Sequence, residues 1–196
     1  MIIYYRLSDA GYPKEKLSIS KADCFANFMT TWGFIDGTNK EDTLILIKDN
    51  LSEKTYETIR PFINRTHLHS LPGRHPIIES VTKTGSSAQS FRYVFSEALK
   101  LHDDEIVLFQ EDDYLYLSNA RTVLLEGLER VPYVSGYDHP DKYINKDMGG
   151  NPLVQNGGEE TLVFTTESRH WKLTNSTTMT FMTKIETLKE DVDIFR

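Results

Sequence analysis

Three consecutive carboxylate residues are the part of the sequence most suited to chemistry. Glu111, Asp112 and Asp113 follow directly after a predicted buried strand at residues 106–110. Neighbouring carboxylates repel each other, and burying them costs free energy unless a cation or hydrogen-bond donors compensate. A hard cation such as Mg²⁺ or Mn²⁺ binds one or two carboxylates and completes its shell with phosphate oxygens and water. The triplet therefore predicts a divalent-metal site, and the alternative is an acidic turn that precedes a helix.

Aromatic and polar residues after the triplet are typical of a sugar-binding surface. Tyr137, Asp138 and His139 follow a predicted strand, and the indole of Trp171 could stack on a sugar ring. These residues predict an acceptor site, although the first three could equally form a polar turn fixed by the proline that follows. His170 could complete the metal shell or bind a diphosphate, although a single histidine is often an ordinary hydrogen-bonded residue.

Alternating strand and helix patterns would position these residues. Apolar runs predict strands, and segments with one apolar side predict helices. The expected strands are residues 2–5, 43–47, 67–71, 106–109, 133–135, 162–166 and 177–183. The expected helices are residues 20–32, 52–62, 84–99 and 118–129. The alternation predicts one α/β domain with a mostly parallel central sheet and helices on both faces, and it puts the triplet at the carboxyl end of a strand, where such sheets bind ligands.

Composition excludes several classes of protein. With 196 residues, 39% of them hydrophobic, the chain can bury roughly 70% of its unfolded surface in one core. A formal net charge of -7 disfavours nucleic acid as a partner, because duplex-binding proteins carry a basic surplus. The single cysteine, Cys24, excludes an internal disulfide framework. No segment reads as a transmembrane helix or a signal peptide, so a cytoplasmic protein is expected.

The middle of the chain resembles the central segment of GT-A glycosyltransferases, which have a Rossmann-like fold. A glycine-started helix beginning at residues 85–90, a buried strand at residues 105–110 and the acidic triplet occur in the order typical of that family. The family's metal motif is Asp-x-Asp, and Glu111 departs from its first aspartate while keeping a carboxylate. The pattern also resembles the small glycosyltransferase domains of large algal viruses, which would act in a host cytoplasm.

This resemblance implies a reaction and a set of site residues. The donor would be a nucleotide-diphosphate sugar such as a UDP-sugar, the acceptor a glycan or another hydroxyl, and the cofactor Mn²⁺ or Mg²⁺. Asp113 would bind the metal directly, while Glu111 and Asp112 would contact ribose or metal-bound water. Asp191 lies in a run that resembles the Glu-Asp motif of inverting members, whose acid deprotonates the acceptor; the alternative is an acid that stabilises a first helical turn. The residues implied for nucleotide binding are Arg6, Ser8, Asp9, Asp49, Gly85 and Gln89.

The resemblance also divides the chain and leaves two alternatives open. Residues 1–113 would bind the donor and residues 114–196 the acceptor, and a helical pattern that stops at Arg196 indicates truncation from a longer chain. A sugar nucleotidyltransferase is one alternative, but it would need a loop rich in Gly and Lys or Arg after the first strand, which residues 8–13 do not provide. The other alternative is a non-catalytic, metal-dependent sugar-binding module.

Overall fold

A six-stranded sheet forms the centre of the protein. The computed structural model describes residues 1–9, 19–67, 77–138, 140–151, 161–174 and 177–195. The strands of this sheet are β1 (Ile2–Ser8), β2 (Thr43–Asp49), β3 (Ile77–Thr82), β4 (Ile106–Glu111), β5 (Tyr133–Val134) and β8 (Phe181–Lys184). Their order is β3-β2-β1-β4-β8-β5; β1 to β4 pair in parallel, and β8 runs antiparallel to β4 and β5. A separate antiparallel pair is formed by β6 (Val163–Thr165) and β7 (His170–Lys172).

Five α-helices lie in the described part of the chain. They are α1 (Lys21–Thr31), α2 (Glu53–His67), α3 (Ser87–Ala98), α4 (Ala120–Leu128) and α5 (Ile185–Glu190). A capping box starts α1: the Ser20 hydroxyl accepts a hydrogen bond from the Asp23 amide, and the Asp23 carboxylate accepts one from the Ser20 amide. None of these helices has both the length and the apolar character that crossing a membrane requires.

Apolar side chains cover both faces of the sheet. Because side chains alternate along a strand, Ile3, Tyr5 and Leu7 of β1 point to one face and Tyr4 points to the other. Helices α1, α2 and α4 pack on the first face, and α3 and α5 pack on the second. The expected α/β fold, with a mostly parallel sheet and helices on both faces, is confirmed.

The third strand differs from the sequence-based expectation. The strand expected at residues 67–71 is wrong at its first position, because His67 is the last residue of α2; residues 68–71 lie outside the described residues. The third strand is β3, an edge strand in which Ile77 is buried while Ile78 and Val81 are exposed. It therefore lacks the buried apolar run that identifies the other parallel strands. Strand β7 was also not expected from the sequence.

The chain reverses its direction of winding between β1 and β4. From β1 it proceeds through α1 and α2 to β2 and β3 on one side, and then returns through α3 to β4 on the other side. The carboxyl ends of β1 and β4 are therefore adjacent, and Arg6 pairs in register with Glu111. Open α/β sheets bind ligands in the crevice at such a switch point.

Candidate functional site

The acidic triplet lies at this switch point, and the sheet separates its side chains. Glu111 is the last residue of β4, and side chains alternate between the two faces of a strand. Glu111 points toward α3 and Asp112 toward α1, whereas Asp113 lies beyond the end of the strand. Within the described residues, no three His, Cys, Asp or Glu side chains form a group that could hold a metal ion by themselves.

Glu111 is paired with a buried arginine. Its Oε1 lies 3.0 Å from Nη2 of Arg6, and the Arg6 Nη1 donates to the Ser87 carbonyl at 3.0 Å, at the start of α3. The guanidinium also lies 5.6 Å from the centroid of the Phe91 ring. Burial raises the pKa of Glu111, and Arg6 opposes that rise. This pair joins β1, β4 and α3 on one face of the sheet.

Asp112 is held on the other face. Its Oδ2 accepts hydrogen bonds from the Ser8 amide and the Lys21 ammonium, both at 2.9 Å. Lys21, the first residue of α1, also donates to the Ser8 carbonyl. Burial raises the pKa of Asp112, and Lys21 opposes the rise. Asp112 therefore fixes the end of β1 against the first turn of α1.

Asp113 is the member of the triplet whose carboxylate is available. Its side chain is exposed, and it makes no hydrogen bond or ion pair with any residue that the structure describes. The next residue is fixed: the Tyr114 hydroxyl donates to the Thr178 hydroxyl at 2.7 Å, and its ring lies 5.2 Å from that of Tyr137. One available carboxylate fits a Mg²⁺ or Mn²⁺ ion that is shared with a diphosphate, because such ions take few protein ligands.

Two aspartates expected to bind nucleotide hold loops at the same end of the sheet. Asp9 accepts hydrogen bonds from the Ser52 amide at 2.7 Å and the Thr55 hydroxyl at 2.5 Å, at the start of α2. Asp49 is buried and accepts from the amide and hydroxyl of Thr84. Burial acts to raise the pKa of each aspartate, but these hydrogen bonds outweigh it and hold both below the ordinary value. Their nucleotide contacts stay predictions.

Gly85 and Gln89 form part of the start of α3. The Gln89 Oε1 accepts from the Gly85 amide at 2.6 Å, and the Gln89 amide donates to the hydroxyl of the N-cap Ser86 at 3.2 Å. A Cβ atom at Gly85 would lie 2.5 Å from that Oε1, so a larger residue would displace the glutamine. The contact of Arg6 with Ser87 brings this helix end to the Glu111 side of the site.

The residues expected to bind an acceptor are divided between two places. Tyr137 is 42% exposed, and its ring meets Tyr114 edge-on next to Asp113; Asp138 accepts a hydrogen bond from the Tyr143 hydroxyl. His139 lies outside the described residues. Trp171 is half-buried in β7, close enough to α4 that a Cβ atom on Gly127 would lie 2.7 Å from its ring. The structure therefore brings Tyr137 to the triplet and packs Trp171 against a helix.

His170 and Asp191 are not joined to the triplet by any contact within the described residues. His170 is exposed and, by strand alternation, points away from the face of β7 on which Trp171 packs against α4. Asp191 follows α5, and α5 begins beside Ile106, the first residue of β4. Ile106 lies about 17 Å along the strand from Glu111. The Asp191 Oδ2 accepts from the Tyr133 hydroxyl at 2.8 Å. Their assignments as metal ligand and base stay predictions.

The site also contains residues that were not expected from the sequence. Lys21 could have been found, because it opens the helix that follows β1 and therefore lies at the carboxyl edge of the sheet. Thr178 and Thr180 could not have been found from the sequence, because they reach the site only through the antiparallel pairing of β8 with β4. The Glu111 amide donates to the Thr180 hydroxyl at 3.2 Å.

Comparisons with known proteins find likeness in structure but not in sequence. No protein-family model matches the chain, and no curated protein matches its sequence. The crystal structure of residues 1–349 of TarS from S. aureus, a glycosyltransferase, is similar with a TM-score of 0.47 and 11% sequence identity. The match covers 98% of this chain and 49% of the TarS chain, so this chain spans about half the length of its neighbour. A likeness of this size does not identify a function, which has to be argued from the side chains.

Proposed function

We propose that the protein is a metal-dependent glycosyltransferase that moves a sugar from a nucleotide-diphosphate donor, most simply a UDP-sugar, to a hydroxyl acceptor. The observation that carries this proposal is the carboxylate of Asp113, which is exposed at the switch point and makes no hydrogen bond or ion pair with any described residue. The carboxylates of Glu111 and Asp112, by contrast, are paired with the basic side chains of Arg6 and Lys21. An available carboxylate in this crevice suits a cation that is shared with a diphosphate.

The residues around Asp113 have distinct roles in this proposal. Asp113 would hold the Mn²⁺ or Mg²⁺ that accompanies the donor's diphosphate. When bound, the cation supplies positive charge that stabilises the diphosphate leaving group. Arg6 and Lys21 offset the charges of Glu111 and Asp112, so that an anionic donor meets a less negative crevice than three free carboxylates would make.

The acceptor would bind beside Tyr137 and Asp138. The exposed ring of Tyr137 offers an apolar face to a sugar ring, and its contact with Tyr114 places that face next to Asp113. A base is also needed to activate the acceptor hydroxyl. Asp191 is the residue that the sequence favours, and comparing Asp191→Asn with Tyr133→Phe would separate a base from a structural partner, because only a base variant loses about 10²-fold or more in kcat.

Turnover of a panel of nucleotide sugars, with and without Mn²⁺, tests the proposal. We expect metal-dependent release of the nucleoside diphosphate, at least 100-fold slower in Asp113→Asn and unchanged in the control Asp104→Asn, whose side chain is exposed beyond the opposite end of β4. Release of pyrophosphate would instead indicate a nucleotidyltransferase. Glycan binding without any nucleotide requirement would indicate a sugar-binding module.

A further inference from the structure

Helix α1 holds the chain on both sides of Asp113. Its first residue, Lys21, binds the carboxylate of Asp112, which precedes Asp113. Nearly two turns later, Asn27 binds the backbone of Tyr116, three residues after Asp113. The segment that carries Asp113 is therefore fastened to one helix at two points.

The contact between Asn27 and Tyr116 is reciprocal. The Asn27 Nδ2 donates to the Tyr116 carbonyl at 3.1 Å, and the Tyr116 amide donates to the Asn27 Oδ1 at 2.7 Å. A side-chain amide that pairs with both backbone groups of one residue fixes the position and the direction of the chain there. The pairing also satisfies polar groups that regular secondary structure does not, since residues 114–117 belong to no helix or strand.

The side chain of Tyr116 strengthens the same attachment. Its ring packs edge-on against Trp32 at 4.8 Å between centroids and against Phe28 at 6.1 Å, both of them buried on the α1 side. Its hydroxyl donates to the Gln110 Oε1, and the fully buried Gln110 donates in turn to the Glu111 carbonyl. Gln110 thus links the end of β4 to Tyr116 and closes a loop of contacts around the triplet.

We infer that Asn27 is a positioning residue that holds Asp113 in the geometry required for metal binding, an inference that rests on the proposed function. The Asp113 side chain makes no hydrogen bond or ion pair within the described residues, so we attribute its placement to the attachments on either side. Without Asn27 the segment would gain freedom that metal binding must then remove. The entropic cost of ordering about one residue corresponds to a roughly tenfold loss of affinity.

The experiment is a Mn²⁺ titration in the presence of UDP, followed by the paramagnetic resonance of the free ion. Asn27→Ala removes both hydrogen bonds, and its Kd for Mn²⁺ should rise about tenfold. Asn27→Asp keeps an acceptor for the Tyr116 amide but places a carboxylate oxygen against the Tyr116 carbonyl in place of the donor, so its Kd should also rise above that of the wild type. This second variant keeps the test decisive if the alanine variant does not fold.

Asn39→Ala is the matched control. Asn39 is also half-buried and also pairs in both directions, donating to the Asp42 carboxylate at 2.8 Å and accepting from the Asp42 amide at 3.1 Å, but it lies at the opposite end of the sheet. The substitution Asn39→Ala should lower the melting temperature without changing the Kd for Mn²⁺. Equal Kd values for the wild type and both Asn27 variants would overturn the inference, even if Asp113→Asn abolishes binding. Absence of Mn²⁺ binding by the wild type would overturn the proposed function itself.

Discussion

Arg6 and Glu111 carry opposite charges, and each offsets the cost of burying the other. The guanidinium is almost fully buried, and the carboxylate is partly exposed, with side-chain exposures of 5% and 24%. Removing the arginine leaves Glu111 with the burial that raises its pKa and without the charge that opposes the rise. We therefore expect Arg6, which the family resemblance implied as a nucleotide contact, also to stabilise the fold.

A double-mutant cycle measures this compensation. Arg6→Met should lower the free energy of unfolding by about 2–4 kcal/mol, because it leaves a partly buried charge unpaired. Glu111→Gln should cost less, and adding it to Arg6→Met should recover part of the loss, with a coupling energy of about 1–3 kcal/mol in urea unfolding. Losses that simply add would mean that the two side chains do not interact.

At the scale of elements, an ion pair between the buried Asp42 and the partly exposed Arg121 joins α4 to the chain entering β2. The Asp42 carboxylate accepts from Arg121 Nε at 2.7 Å and Nη2 at 3.0 Å, and from Asn39. Burial acts to raise the pKa of Asp42, but these donors outweigh it and hold the pKa below its ordinary value. A lowered folded-state pKa makes a contribution to stability that is present above the unfolded-state pKa of about 3.9 and is lost as the pH falls below it.

Asp42→Asn should therefore destabilise the protein in a pH-dependent way. At pH 7 we expect a loss of about 2–3 kcal/mol, less than for a fully buried pair because Arg121 is partly exposed. The difference from the wild type should shrink as the pH falls below about 4, because the carboxylate of the unfolded chain then takes up a proton before that of the folded protein does. Urea unfolding at several pH values checks this expectation, and a difference that stays constant with pH would contradict it.

The packing of the β6 and β7 pair against α4 gives another test at the element scale. A Cβ atom on Gly127 would lie 2.7 Å from the Trp171 ring and 3.0 Å from Val134, so Gly127→Ala forces the hairpin away from the helix. We expect a loss of about 1–3 kcal/mol despite the better helix propensity of alanine, and a red shift of tryptophan emission. Combining Gly127→Ala with Trp171→Phe should recover much of the stability. An unchanged emission spectrum in the single variant would contradict the packing.

Some elements could be predicted from the sequence and others could not, for a physical reason. Strands β1, β2 and β4 lie in the interior of the sheet and carry apolar runs, and Ser20 marks the start of α1 by its side-chain chemistry. Strand β3 lies at the edge with exposed apolar residues, so it has no buried run to detect. A continuous run of apolar residues indicates a strand that is buried on both faces, and the edge strand β3 is less buried than the interior strands.

At the scale of the whole molecule, the sheet determines which carboxylate is available. The sequence identifies Glu111, Asp112 and Asp113 as one acidic group, but it does not show which helix lies on which face. In the structure, Glu111 pairs on one face with Arg6 of β1, which contacts the start of α3. On the other face, Asp112 pairs with Lys21 of α1. The role of Asp113 as the direct metal ligand stays a prediction, and its exposed carboxylate makes no hydrogen bond or ion pair with any described residue.

The measurement that tests this account most directly is anomalous diffraction from crystals grown with Mn²⁺ and UDP. The account expects one manganese ion between the diphosphate and the Asp113 carboxylate, with an oxygen of that carboxylate about 2.1 Å from the metal. Arg6 and Lys21 should keep their pairings with Glu111 and Asp112 in the complex. A diphosphate bound at the carboxyl ends of β1 and β4 with no manganese on Asp113, or manganese and UDP bound elsewhere, would contradict it.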